Sequence, residues 1–416
     1  MSDDAVARAD VRADVRDWRG FAVRVSLLFA AVCTVIGTQL PFYPVWLDWR
    51  GLSAREIATI TAAPLVVRVV VTPALAFAAD RFGDHRRFLI GLAWAGLAVL
   101  LVLAQFESFW PLLVGTVLFS IAISTVMPLT ETLAMTGVKA AGLDYGRMRL
   151  WGSITFIVAS ICGGWLLEPL GAGAAIWLMM GGVALTIAAA HGLQRPIGLG
   201  RLKAATSPPR LRVVDALGLL RSRVFLIFLL ATGMVQGAHG MFYTFGVLHW
   251  RAQGLDTAWS GVLWAVAIVC EVALFAGSAA VLRRVTPVQL IVLGCAAAVL
   301  RWLVMGFDPP LAVLVLLQVS HSLTYSASHL GAIHFMSRLV PDQQAGTAQA
   351  LYASVTGGIG LGAAMLIAGP LYASYGGRGY WAMAVMAAIG LAAVLVLRRI
   401  TQPHNAGAGG ETSAPS

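Results

Sequence analysis

Residues 80–105 read DRFGDHRRFLIGLAWAGLAVLLVLAQ. Eight residues dense in charge give way, after Arg87, to a run with no further charge through Gln105. As a helix rising 1.5 Å per residue, the run 87–105 reaches about 28 Å, close to the ~30 Å hydrocarbon core of a bilayer. Similar runs lie at about 21–47, 55–79, 109–136, 149–168 and 173–193, and again at about 223–249, 258–282, 287–306, 310–336, 346–369 and 379–397. Of the 416 residues, 59% are hydrophobic and 12% charged, against roughly 25% charged in soluble domains. The mean hydropathy is +0.81. The expected fold class is an all-α polytopic membrane protein with twelve transmembrane helices in two six-helix bundles. Secreted disulfide scaffolds and disordered tail proteins are excluded, and the cysteines Cys33, Cys162, Cys270 and Cys295 all lie inside apolar runs with no metal-site spacing.

The net charge of +10 is distributed by side. With both termini on the cytosolic side, the opposite side carries only Arg50, Arg55, Arg251 and Arg378, and Arg68, Arg149 and Arg301 sit within or at the edge of spans. The remaining 22 Lys/Arg border the cytosolic side, an asymmetry that orients membrane proteins and accounts for the basic pI without nucleic acid. The organisation expected is a cytosolic N-terminal lead-in at 1–20 without a cleavable signal pattern, an N-terminal six-helix bundle at 21–193, a basic, proline-containing cytosolic linker at 194–222, a C-terminal six-helix bundle at 223–398 and a disordered C-terminal tail at 399–416. The arginine-rich composition points to a bacterial cytoplasmic (inner) membrane.

A weak repeat at an offset of 201 residues relates the halves: Trp151-Gly152-Ser153-Ile154 aligns with Tyr352-Ala353-Ser354-Val355, and Pro169 with Pro370. Parallel repeats are the sequence mark of a two-bundle transporter whose site lies at mid-depth between the halves.

The octet Asp80-Arg81-Phe82-Gly83-Asp84-His85-Arg86-Arg87 resembles the loop 2/3 signature of the major facilitator superfamily, G-x-x-x-D-R-x-G-R-R, with Ala76 in place of the leading Gly and Asp84 in place of a basic residue. The resemblance implies a conformational latch at Asp80, Arg81 and Gly83, and an acid at a helix C-terminus does need such a partner. The segment Tyr145-Gly146-Arg147-Met148-Arg149-Leu150-Trp151-Gly152-Ser153-Ile154 resembles the phenylpropionate permease-like branch of that superfamily and, more distantly, lactose permease and other oligosaccharide/proton symporters. In that group an acid in helix 4 and an arginine in helix 5 bind substrate, which implies this role for Glu131 and Arg149, with Arg147 anchoring to headgroups. Glu271, Arg301 and His321 stand where the lactose permease group has its substrate-side acid, coupling arginine and coupling histidine; the carboxylate expected three residues after the histidine is Thr324.

Charge at membrane depth is costly, so Arg68, Glu131, Arg149, Glu271 and Arg301 are expected to face the interior. Three arginines against two glutamates make the interior cationic, which points to an anionic substrate. Tyr43, Phe42 and Trp46 in the first run, Trp151 in the fifth, and Phe242, Tyr243 and Phe245 in the seventh are candidates to wall an aromatic ring, although Trp46 and Trp250, near run ends, fit an interfacial belt. His321, Tyr325 and Ser328 or His329 form a polar stripe at helical spacing.

The expected function is proton-coupled uptake of a small organic anion of the aryl-propionate type by a functional monomer whose partners are substrate, protons and lipid. The candidate substrate-binding residues are Glu131, Arg149, Trp151, Arg68 and Tyr43, with proton coupling at Glu271, Arg301 and His321. A sugar or nucleoside symporter is the alternative. A drug/proton antiporter would carry Gly-Pro-x-x-Gly-Gly in the fifth span, where Gly163-Gly164-Trp165-Leu166-Leu167-Glu168-Pro169 stands. No phosphate-binding loop, metal set, cofactor motif or paired acid and histidine of an enzyme is legible.

Overall fold

The computed structural model describes residues 3–82, 84–193 and 213–401. Its helices are α1 (Asp3–Trp49), α2 (Ala54–Phe82), α3 (His85–Leu103), α4 (Phe109–Ala141), α5 (Tyr145–Leu170), α6 (Ala175–Gly192), α7 (Arg223–Ala252), α8 (Thr257–Ala276), α9 (Pro287–Met305), α10 (Leu311–Leu339), α11 (345–375) and α12 (Tyr380–Thr401). Among the described residues, ten stretches are long and apolar enough to cross a membrane. One of them, Ala345–Thr401, holds both α11 and α12, parted by a 3₁₀ turn at Gly376–Gly379. The 29-residue α2 is not among the ten. Of the linker expected at 194–222, Val213–Arg221 forms a short helix, and 194–212 lies outside the described residues, as does the tail beyond Thr401. The lead-in continues into α1 without a break.

Local chemistry fixes the helix ends. Asp84, the departure from the loop signature, is the N-cap of α3, its carboxylate accepting from the Arg87 amide at 3.2 Å and lying 3.4 Å from the Arg87 guanidinium. Asp144 caps α5 in the same way through the Arg147 amide. Helix α9 opens on a capping box of Thr286 and Gln289 with Pro287 in its first turn, and α4 stops at Gly142 in the left-handed region, φ 65°.

Helices α1 to α6 and α7 to α12 form two bundles whose mutual contacts come from α1, α2 and α5 on one side and α7, α8 and α11 on the other. At the face where α1 turns into α2, here called the far face, the seam is tight. A Cβ on Gly164 of α5 would lie 2.7 Å from the Thr257 carbonyl oxygen of α8, and one on Gly261 would collide with the Ser160 carbonyl oxygen. Only glycine at these two points lets the backbones approach so closely. Beside them the Glu168 carboxylate of α5 accepts from the Thr257 amide at 2.8 Å, so the first turn of α8 is capped by the other bundle.

The belt expected at Trp46 and Trp250 is not there, since both indoles are fully buried. Trp46 stacks on Tyr43 at 5.7 Å under the Arg50 guanidinium, and Trp250 packs on Phe242. These helices meet inward at their ends, which buries rings that sequence position alone assigns to the lipid boundary. Exposed tryptophans do ring the far face, but they are Trp49, Trp110, Trp165, Trp177, Trp259 and Trp381.

Candidate functional site

A cavity of about 440 Å³ lies at the seam, lined from α1, α2 and α4 and closed across the seam by Tyr243 and Met365. Gln39, Thr61, Thr116, Ser120 and Ser124 give it a polar inventory, and Ile36, Leu40, Leu65, Ile123 and Met127 its apolar wall. The Tyr43 hydroxyl bonds to Thr116, and the buried Ser124 hydroxyl has no protein partner. Among the described residues lining this cavity, Arg68 is the one that carries a charge. Its Nη2 donates across the seam to the carbonyl oxygen of Gly357 at 2.8 Å. That carbonyl belongs to a π-helical stretch of α11, Ser354–Gly360. The wider turn disturbs the regular backbone ladder and makes a carbonyl available to a side chain.

The second group lies inside the C-terminal bundle. Arg301 of α9 is 1% exposed and donates through Nη1 to His321 Nδ1 at 2.8 Å and to Thr324 Oγ1 at 3.1 Å, and through Nη2 to Gln318 Oε1 at 3.0 Å. Its guanidinium sits over the rings of Phe242 and Trp302, 5.0 and 4.6 Å from their centroids. A cation removed from water is held by neutral acceptors and ring faces here, with no carboxylate among its hydrogen-bond partners. Because guanidinium can only donate, His321 Nδ1 accepts, and the neutral ring carries its proton on Nε2. That atom is 3.9 Å from Glu271 Oε2 of α8. Ser326, with a buried hydroxyl lacking a regular hydrogen-bond partner, lies beside the same carboxylate. His321, Thr324 and Ser326 are brought together by a second π-helical stretch, Ser322–Ala327 in α10. The stripe continues as stacked rings, His321 on Tyr325 at 5.4 Å and Tyr325 on His329 at 6.3 Å, ending where His329 Nδ1 meets the Tyr352 hydroxyl at 2.9 Å.

The remaining candidates are dispersed. Glu131 and Arg149 are half-buried and within electrostatic reach of each other, yet form no ion pair at 4.0 Å or less. Arg149 instead lies 3.8 Å from Cys33 Sγ and over the Phe29 ring of α1. Neither Glu131 nor Arg149 lines the seam cavity. Trp151 is 54% exposed and lines a different, lateral recess of about 650 Å³ with Arg19 and Arg147. Of the latch residues, Arg81 is exposed, while the Asp80 side chain and Gly83 lie outside the described residues.

Sequence reading missed His239, Gln236 and Gln318. His239 is fully buried and meets Thr324 Oγ1 through Nε2 at 3.1 Å; Gln236 donates to the Ser328 hydroxyl at 2.9 Å. The available signal was a histidine between glycines, Gly237-Ala238-His239-Gly240, in the middle of an apolar run, where a polar group needs a partner as much as His321 does.

Two helical bundles, a cavity at their seam and buried ionisable side chains beside it define a membrane transporter. The chain belongs to the MFS_1 like family, whose model matches residues 23–383, and so to the major facilitator superfamily of secondary transporters. It is 30% identical over 361 residues to the "Probable 3-phenylpropionic acid transporter" of Escherichia coli (strain K12), covering 84% of this chain and 91% of that one. It is 29% identical over 384 residues to the maltose permease of Geobacillus stearothermophilus, covering 90% and 93%. Among solved structures, the nucleoside transporter NupG superposes with a TM-score of 0.78 at 17% identity, covering 92% of this chain and 99% of that one, a likeness of fold.

Proposed function

We propose that this secondary transporter takes up a small organic anion with an aromatic or apolar body, coupled to inward proton movement. The observation that carries the reading is the seam cavity itself: one cation, Arg68, in an otherwise neutral wall of hydroxyls and aliphatic side chains. A carboxylate entering such a space finds a bidentate donor in the guanidinium and further donors in Ser124 and Tyr243, while an aryl ring is accommodated by Ile36, Leu40 and Ile123. The relative named for 3-phenylpropionic acid supports this substrate class. The hydroxyls and Gln39 would serve a sugar or nucleoside equally well, and the maltose and nucleoside relatives favour that as the second reading.

In the coupling step, Glu271 takes the proton. His321 presents an N–H toward it and has no free nitrogen, because Arg301 occupies Nδ1. Neutralising Glu271 removes a charge from α8, the helix packed against α5 at the seam, which gives a proton a way to bias alternating access. The protein acts in this reading as a monomer in the bacterial inner membrane with both termini cytosolic. The test is thermal stabilisation of the purified protein across aryl carboxylates, their amides, sugars and nucleosides, since a ligand of the native state raises apparent stability. Stabilisation by the carboxylates and not by their amides is the expected result; stabilisation by sugars or nucleosides alone would transfer the assignment to the second reading.

A further inference from the structure

His239 of α7 has no role in the substrate cavity, yet it is a titratable group fully enclosed in the C-terminal bundle, surrounded by the rings of Tyr243, Trp302, His321 and Tyr325. Its Nδ1 lies 3.1 and 3.2 Å from the carbonyl oxygens of Val235 and Gln236, which can only accept. The ring proton is therefore on Nδ1, and Nε2 accepts the Thr324 hydroxyl proton at 3.1 Å. Thr324, having given its one proton to His239, accepts from Arg301 Nη1, the same nitrogen that donates to His321 Nδ1. The order of donation is thereby set along the whole chain: Arg301 to Thr324 and His321, Thr324 to His239, His239 to the α7 backbone.

We infer that His239 is a positioning residue for proton coupling, holding the Thr324 hydroxyl in the orientation that keeps Arg301 on Nδ1 of His321 and the His321 N–H toward Glu271, a role that rests on Glu271 carrying the proton. Thr324 has a competing acceptor, the carbonyl oxygen of His321 at 3.3 Å. Without His239 the hydroxyl turns to that carbonyl and its lone pairs swing away from Arg301; Nη1 then loses one of its two acceptors, the guanidinium shifts, and the bond to His321 Nδ1 that fixes the proton on Nε2 is weakened. His239 holds this geometry and does not relay the proton, because both of its nitrogens are engaged. It also explains why threonine stands where the resemblance leads one to expect a carboxylate: the position needs a group that can accept from arginine and donate to histidine at once, and an ionised acid cannot donate.

The experiment reads tautomers and transport separately on the full chain. With histidine labelled by ¹⁵N in nanodiscs, and the His321 signals identified by their loss in His321→Asn, wild-type His321 should show protonation at Nε2. His239→Ala and the near-isosteric Thr324→Val should each give a mixture of tautomers, and His239→Gln and Thr324→Ser should restore the single form. In proteoliposomes the ratio of uphill accumulation to equilibrium exchange should fall at least tenfold in His239→Ala and in Thr324→Val, with no further fall in the double variant, since both break one link. An unchanged His321 tautomer in both variants, an unchanged transport ratio, or a double variant whose loss is the product of the single losses would overturn the role. If wild-type accumulation ignores the proton gradient while the tautomers shift as stated, the coupling reading fails and the link from His239 to His321 stands.

Discussion

Arg68 of α2 and Gly357 of α11 are joined at 2.8 Å across the seam, a guanidinium of one bundle bonded to a backbone carbonyl of the other, although 289 residues separate them in sequence. The same guanidinium faces the cavity, so an anion bound there competes with the Gly357 carbonyl for its donors. In the proposed reading, substrate recognition and the hold between the bundles share one side chain. Arg68→Gln should raise the Kd for an aryl carboxylate at least tenfold and leave binding of the matching neutral amide within about twofold, since a bidentate charge-assisted contact is worth about 1.5–3 kcal/mol. Isothermal titration with the acid and the amide checks this, and equal losses for both would remove Arg68 from anion recognition.

Glu271 and His321 face each other at 3.9 Å between α8 and α10. Glu271→Gln should abolish accumulation against a gradient while counterflow from preloaded vesicles continues, because exchange needs alternating access without proton release. His321→Asn is the control for the histidine as carrier. Uphill transport intact in Glu271→Gln would shift the carrier to Glu131 or His321.

Arg149 lies over the Phe29 ring and beside Cys33 of α1. Arg149→Lys should fail in uptake despite keeping the charge, because lysine lacks the planar group that lies on the ring. Recovery of uptake in the double variant Glu131→Ala, Arg149→Ala would show that the two balance each other structurally and do not bind substrate.

At the far face the Cβ missing from Gly261 leaves room for the Ser160 carbonyl oxygen. Gly261→Ala should prop α5 and α8 apart and increase labelling of a cysteine introduced at Thr257 by a membrane-impermeant maleimide. Glu168→Ala, which removes the cap on the Thr257 amide, should act in the same direction and more mildly, with a cost of about 0.5–2 kcal/mol to the closed seam. Labelling no greater than in the wild-type background in either variant would mean that these contacts do not hold the far face closed.

What the chain declares by itself is its fold. Runs such as 87–105 are too long and too apolar to be anything but buried in lipid or protein, and the basic residues sort to alternate loops; that Asp84 and Asp144 cap helix starts came from the folded chain. Ionisable residues inside those runs also mark themselves, since burying a charge is costly wherever the helix faces, and Arg68, Glu131, Arg149, Glu271 and Arg301 were legible on that ground, His321 through the resemblance. Which of them share a space was not. A helix apolar on every side gives no hydrophobic face from which its rotation can be read, so the sequence placed Glu131, Arg149 and Trp151 together at the site, while in the folded chain the seam cavity takes Arg68 and Tyr43 and leaves those three outside. His239, Thr324 and Gln318 likewise acquire meaning only when α7 and α10 are laid beside Arg301, because a donor's proper acceptor is set by distance and angle, and these depend on helix packing and on the π-turns that rotate α10 and α11 locally.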